Sequence, residues 1–305
     1  MTGSPAPRLY QNHHFDSTRW RWFESRPDDI VIATSYKAGT TWTQAIVANL
    51  LFPDGEFPDE IGRMSPWLDL RLAPLETVLG TLEAQTHRRF IKTHLPFDCM
   101  PHEERLKYVY VSRDARDVFM SLWNHYSGHN DRFYAVTNNL LERVGDEFPR
   151  CEVDIHGFWR DWITRGWFDD ETDGYPYWSH FTNVQSWWNE RHRPNVLLVH
   201  FGDMLADPEG EIRRIAAFLE IDVPDAAWPG IVERVSFGEM KKQGERYAPR
   251  GGEMWKGGAG TFMNKGTNGR WRDVLSDEEL ALYDAACERT LTPDCRAWLE
   301  NGGHP

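Results

Sequence analysis

Apolar residues come in short blocks along this chain, and each block is followed by a stretch in which they recur every three to four positions. Ile30 to Ala33, Arg89 to Lys92, Tyr108 to Val111 and Val196 to Val199 are strand-length runs rich in β-branched and aromatic side chains. Behind the first, Trp42, Ala45, Ile46 and Leu50 fall on one helical face. Behind the third, Val118, Leu122 and Tyr126 do the same, with Asp114 at the N-cap position. Behind the fourth, Asp207 and Pro208 read as N-cap and N1, and Ile212, Ile215, Ala216 and Leu219 supply the stripe. A last helix begins at Ser276, where Glu279 completes a capping box, and packs through Leu280, Tyr283 and Cys287. Strand alternating with helix predicts an α/β fold: a central parallel β-sheet flanked by helices, in a single domain over residues 1–305.

Two segments break the pattern. Residues 127–188 hold 14 of the 41 aromatic residues, among them Phe133, Tyr134, Trp159, Trp162, Trp167, Tyr175, Tyr177 and Trp178. Most of these belong in a core. The remainder are expected to line an acceptor pocket, because α/β folds build substrate sites from insertions on the carboxyl side of the sheet. Residues 241–272 carry eight basic residues against two acidic ones, and eight of the 24 glycines. Such a segment is either a flexible solvated loop or a lid that brings positive charge and backbone close to a small anion.

Composition narrows the classes. With 305 residues, 40% of them hydrophobic, the chain can bury a real core, which excludes disorder. No apolar run approaches the ~20 residues of a membrane span, and "MTGSPAPRLYQNHH" has no apolar signal core. The four cysteines lie far apart without CxxC pairing, against both a disulfide framework and a zinc site. A cytoplasmic protein with reduced thiols is the expectation. A formal charge of -13 argues against nucleic acid or a polyanionic polysaccharide as partner.

The candidate chemistry begins at "TSYKAGTTW", residues 34–42, between the first strand and its helix. A helix N-terminus offers free N–H groups and the positive end of a dipole to an anion. Gly39 permits close approach, and Thr40 and Thr41 add hydroxyls. The ATP pattern GxxxxGK[ST] is absent, and Lys37 enters from the strand side instead. In "RRFIKTHLP", Lys92 and His94 stand two residues apart at a strand end and share a face, with His94 placed as a general base. In "KYVYVSRDARDVFMSLWNHY", Arg113 ends a strand and Ser121 follows in the helix, a second anion site. Two anion sites beside one sheet point to a ligand with phosphates at both ends.

These segments resemble the cytosolic-type sulfotransferases, whose fold is P-loop-NTPase-like. That family transfers a sulfuryl group from 3′-phosphoadenosine 5′-phosphosulfate (PAPS) to a hydroxyl or amine and releases 3′-phosphoadenosine 5′-phosphate (PAP). "RPDDIVIATSYKAGTTW" is similar to the family's 5′-phosphosulfate loop, "IKTHLP" to its catalytic segment and "YVYVSRDARDVFMS" to its 3′-phosphate segment. "VSFGEMKK" resembles the adenine-contacting stretch and "FMNKGTNGRW" the C-terminal lysine-glycine loop, all five in family order between about Arg26 and Arg272. The resemblance implies catalytic roles for His94 as base, Lys37 on the leaving group, Lys92 on the sulfuryl oxygens, and Ser121 as a restraint on Lys37. It implies donor contacts from Lys37, Ala38, Gly39, Thr40 and Thr41 at the 5′ end, and from Arg113 and Ser121 at the 3′-phosphate. Trp42, Phe201, Ser236 and Phe237 would surround the adenine, and Phe262, Met263, Asn264, Lys265 and Gly266 would form the closing loop. No metal is implied. The acceptor would be a small, largely apolar hydroxyl compound such as a phenol, sterol or lipid alcohol, with Pro66, Trp67 and His125 near its pocket.

Several positions depart from the family pattern. Tyr36 replaces a proline, Ala38 a serine and Val235 a threonine, and Asn264 replaces an arginine on the 3′-phosphate, so weaker donor binding is expected unless a nearby cation such as Arg270 substitutes. "RWRDVLSDEE" lacks the family's dimer motif, which leaves monomer and homodimer both open. Two other readings are a nucleotide kinase, which the absent Gly-Lys-Ser/Thr order disfavours, and a non-catalytic binder of adenosine 3′,5′-bisphosphate, which the presence of Lys37 and His94 disfavours.

Overall fold

The computed structural model describes residues 7–140, 143–151 and 154–305. The first six residues of the N-terminal stretch read for a signal core, and 141–142 and 152–153 of the aromatic segment, lie outside the described residues.

Four parallel strands form the centre: β1 Ile30–Ala33, β2 Phe90–Thr93, β3 Lys107–Ser112 and β4 Val196–His200, in the order β2-β1-β3-β4. Each lies within one residue of its predicted ends. The register sets Ile30 against Phe90 and Lys107, and Ala33 against Thr93 and Tyr110. Every residue of β1 is fully buried, as a parallel sheet covered on both faces requires. Alternation along the strands then divides the core in two. Val31, Ala33, Ile91, Tyr108 and Tyr110 face an aromatic layer containing Trp159, Trp162, Trp178 and Trp187. Ile30, Ile32, Phe90, Val109 and Val111 face an aliphatic layer containing Ile46, Ile212, Ile215 and Ile231.

The predicted helices follow: α1 Thr40–Leu51 after β1, and α2 Ala115–Ser127 after β3. Asp114 caps α2 by accepting from the Arg116 N–H at 2.9 Å. The aromatic segment folds as α3 Asp131–Asn138, α4 Ile155–Thr164 and α5 His180–Trp188. After β4 a short helix, Phe201–Ala206, precedes the predicted α6 Pro208–Phe218, whose cap Asp207 accepts from Gly210 at 2.9 Å. The capping box at Ser276 opens α7 Asp277–Thr290 as expected. It is not the last helix: Thr292 and Pro293 restart the chain as α8 Pro293–Asn301, because Pro293 ends one helix and suits N1 of the next.

Residues 241–272 form short helical turns, Gly244–Tyr247, Pro249–Gly252, Ala259–Phe262 and Arg270–Asp273, rather than an open loop. They are tied to α2 and the residues just beyond it: Asn124 donates to the Thr261 carbonyl at 2.8 Å, and Lys256 N to Gly128 at 2.9 Å.

Candidate active site

Sheet order assembles the site. β1 lies between β2 and β3, so the loop leaving β1 is flanked by the residues that leave its two neighbours. Pairing of Ala33 with Thr93 places Thr34 beside His94. The His94 imidazole, 5% exposed, has its Nδ1 2.8 Å from the Thr34 carbonyl. A carbonyl only accepts, so the proton sits on Nδ1 and Nε2 keeps its lone pair. Burial, reinforced by the Lys92 charge, pushes the His94 pKa well below the usual histidine value, so the ring is neutral. Trp67 fixes the approach to this histidine: its ring stands edge-on to His94 at 4.5 Å and beneath the Lys92 ammonium at 4.5 Å. Lys92 and His94 do share one face.

Lys37 adopts a left-handed backbone, φ 49°, which turns its side chain out of the strand direction. Its ammonium lies 3.2 Å from His125 Nδ1 and 4.7 Å from the centre of the Phe262 ring. Burial, with Lys92 and Arg113 as like charges, lowers its pKa to about 7. Lys92 falls to about 8 through burial, opposed by Asp69. Asp69 itself is occupied by the indoles of Trp67 at 2.6 Å and Trp20 at 3.2 Å. Arg113 drops to about 10 by burial; Asp117 opposes the shift, and Arg270 adds to it as a further cation. Arg113 is partly offset by Asp117 at 4.0 Å, but the like charges in the crevice still repel one another, and a bound anion offsets that repulsion.

The loop is shaped for such a ligand. Gly39 has φ 118°, and a Cβ there would come within 3.0 Å of Phe201, so only glycine fits. It caps α1 without a side-chain bond, and Thr40 Oγ1 is 2.7 Å from Thr34 Oγ1. Thr41 is partly exposed at the same helix end. The buried indole N–H of Trp42 has no partner among the described residues. Phe201 lies under this end, 5.4 Å from Trp42 and 4.3 Å from the Arg113 guanidinium. Arg113 is aimed by Asn268 Oδ1 at 2.9 Å and the Thr267 carbonyl at 2.8 Å, while Asp117 accepts from the Gly269 N–H at 2.8 Å. The buried Nε of Arg270 has no partner among the described residues.

The departures from the family pattern have separate causes. Tyr36 points into the aromatic layer, where its hydroxyl accepts from the Trp162 indole at 2.8 Å, and Ala38 is fully buried in the same core. Neither side chain faces the crevice, so at these two positions the loop can offer only backbone. Ser236 caps the helix Phe237–Lys242, and Phe237 is 37% exposed beside Gly266, where a Cβ would meet its ring at 2.6 Å. Met263 is buried, Asn264 gives its carbonyl to Lys241 at 3.0 Å, and Lys265 is exposed. Ser121 lies on α2 one turn before His125, and the hydrogen bond from Lys37 goes to His125. Thr34 and Asp69 were not foreseen; the first needs the strand register, and the second is distant in sequence from everything it supports. Among the described residues no group of three or more histidines, cysteines or carboxylates could hold a metal ion, and no helix is long and apolar enough to cross a membrane.

A model of the sulfotransferase domain matches residues 27–294. This chain belongs to the sulfotransferase family. The sulfotransferase is 29% identical over 316 residues to a glycolipid sulfotransferase of Mycobacterium bovis, a match that covers 96% of this chain and 94% of that one. It is also 29% identical over 282 residues to rat sulfotransferase 1A1, covering 90% and 87%. Among solved structures, mouse sulfotransferase SULT7A1 complexed with PAP aligns with a TM-score of 0.68 at 21% identity, covering 92% of this chain and 91% of that one. Retinol dehydratase in complex with androsterone and inactive cofactor PAP aligns at 0.67 and 24% identity, covering 92% and 87%. At these identities the sulfotransferase shares their fold.

Proposed function

We propose that this sulfotransferase moves a sulfuryl group from PAPS to the hydroxyl of a small, largely apolar acceptor by in-line transfer, with His94 as general base. The observation that carries this reading is the His94 tautomer: a neutral ring whose proton is committed to Thr34, beside Lys37 and Lys92. Its free Nε2 takes the proton of the acceptor hydroxyl as the new oxygen–sulfur bond forms. The bond from sulfur to the bridging oxygen breaks, and PAP departs with the electron pair on its 5′-phosphate. Lys37 and the free N–H groups at the α1 N-terminus neutralise that phosphate, and Lys92 the sulfuryl oxygens. Arg113, with Arg270 in place of the family arginine at position 264, holds the 3′-phosphate. Trp42 and Phe237 supply apolar faces for the adenine.

For the acceptor, the glycolipid sulfotransferase relatives and the aromatic rings of Trp67 and Trp178 beside His94 favour a phenol, sterol or lipid alcohol. Residues 127–188 would shape that pocket and residues 241–272 would close over the nucleotide. Incubation with sulfur-labelled PAPS against phenols, sterols and lipid alcohols tests the reading. Label on one acceptor class supports it; PAP binding without transfer to any class points to a binder, and magnesium-dependent ATP consumption to a kinase.

A further inference from the structure

Lys37 carries a charge in a crevice where, before any anion arrives, little stabilises it. Lys92 comes toward it from β2 and Arg113 from the end of β3, both as like charges, and His94 stands beyond β2 as a neutral ring. The groups that touch the ammonium are the Phe262 ring at 4.7 Å and His125 Nδ1 at 3.2 Å. An ammonium has three donors and no acceptor, so the contact requires His125 to accept through Nδ1 and to carry its own proton on Nε2. Surroundings keep His125 in that neutral form. It is half-buried against Trp255 at 4.9 Å and His129 at 4.8 Å, and desolvation together with Lys37, His129, His14 and Lys92 acts against a positive imidazole.

We propose that His125 is a positioning residue for the transfer reaction: its imidazole holds the Lys37 ammonium in the charged form and at the α2 face until the donor's 5′-phosphate takes it over. This rests on the proposed function for the identity of the anion. It moves to His125 the restraining role that the family resemblance gave to Ser121. The two are four residues apart on α2, so they lie on one face about 5–6 Å apart. Ser121 lies nearer the Arg113 end of α2, and His125 lies against Trp255 and His129.

The test is a titration of the donor-free protein, with lysine labelled by carbon-13 at Cε. The Lys37 signal is assigned by its absence in Lys37→Met. In the unaltered protein its midpoint is expected near pH 7. His125→Phe keeps an aromatic ring against Trp255 and Phe262 but removes the acceptor. The Lys37 midpoint then falls by about one pH unit, a tenfold loss of proton affinity. His125→Asn supplies an acceptor oxygen and returns the midpoint close to that of the unaltered protein. A packing role alone predicts the reverse order, with the Phe variant normal and the Asn variant disturbed, and that result overturns the proposal. So does a His125→Phe variant whose Lys37 titrates normally. Addition of PAP is a separate arm: it raises the Lys37 midpoint if the crevice is the donor site. Failure of that arm alone counts against the donor reading, not against His125.

Discussion

In the proposed reaction His94 and Arg270 would divide the work of the site, one on the proton and the other on affinity. Because the Thr34 carbonyl commits Nδ1, loss of the ring removes the base without removing a cation. His94→Ala is therefore expected to lower kcat by about 10²–10⁴ while PAP affinity, followed by calorimetry, stays near that of the unaltered protein. Turnover within a few-fold of normal would remove His94 from the proton step. Arg270 has the opposite signature. Its Nε, without a partner among the described residues, and its charge acting on Arg113 make it the candidate to supply the charge that Asn264 lacks. A charge-assisted bond contributes roughly 1.5–3 kcal/mol, so Arg270→Ala should weaken PAP binding by about 10-fold to 100-fold, with kcat at saturating donor little changed. If affinity is unaltered, the 3′-phosphate is held without Arg270.

At the scale of elements, the phosphate loop is fastened to the aromatic segment as well as to the crevice. Trp162 of α4 donates to the Tyr36 hydroxyl, and Trp178 donates to the Ser35 carbonyl at 2.8 Å just before α5. Tyr36→Phe leaves the Trp162 N–H buried and unpaired, at a cost of about 1–3 kcal/mol. Chemical denaturation should show that loss, with PAP affinity unchanged. Adding Trp162→Phe should restore part of it, since the orphaned donor is then gone. This fastening was illegible in the chain itself. The strands were readable because β-branched runs bounded by polar residues have few other uses, and the caps at Asp114, Asp207 and Ser276 announce themselves by residue type and spacing. The loop and its cations could likewise be read, since a helix N-terminus after a buried strand selects an anion. Beyond Ala33, though, strand alternation stops, and nothing in the sequence tells that Tyr36 points inward and Lys37 outward. Only the left-handed turn at Lys37 decides it. Aromatic content likewise located the segment 127–188 without its three helices, because its rings follow no single period.

Across the whole molecule, a net charge of -13 surrounds a crevice that concentrates Lys37, Lys92, Arg113 and Arg270. Such a site is organised for its ligand at the expense of the free protein, a usual trade between stability and function. The sign follows from Lys37, whose pKa falls from 10.5 unfolded to about 7 folded. Below pH 7 both states are charged and the folded protein bears the full cost of burying the ammonium; as pH rises toward 10.5 the folded lysine is neutral and the cost fades. Lys37→Met keeps the side-chain volume and removes the charge. It should raise the melting temperature of the free protein, most at pH 6 and least at pH 10. PAP at 100 times its Kd stabilises the unaltered protein by about 2.7 kcal/mol, and the same concentration should stabilise Lys37→Met far less. Thermal melts of both proteins at the two pH values, with and without PAP, read all of these differences. A variant that melts lower than the unaltered protein at pH 6 would mean that Lys37 is already satisfied before the donor binds.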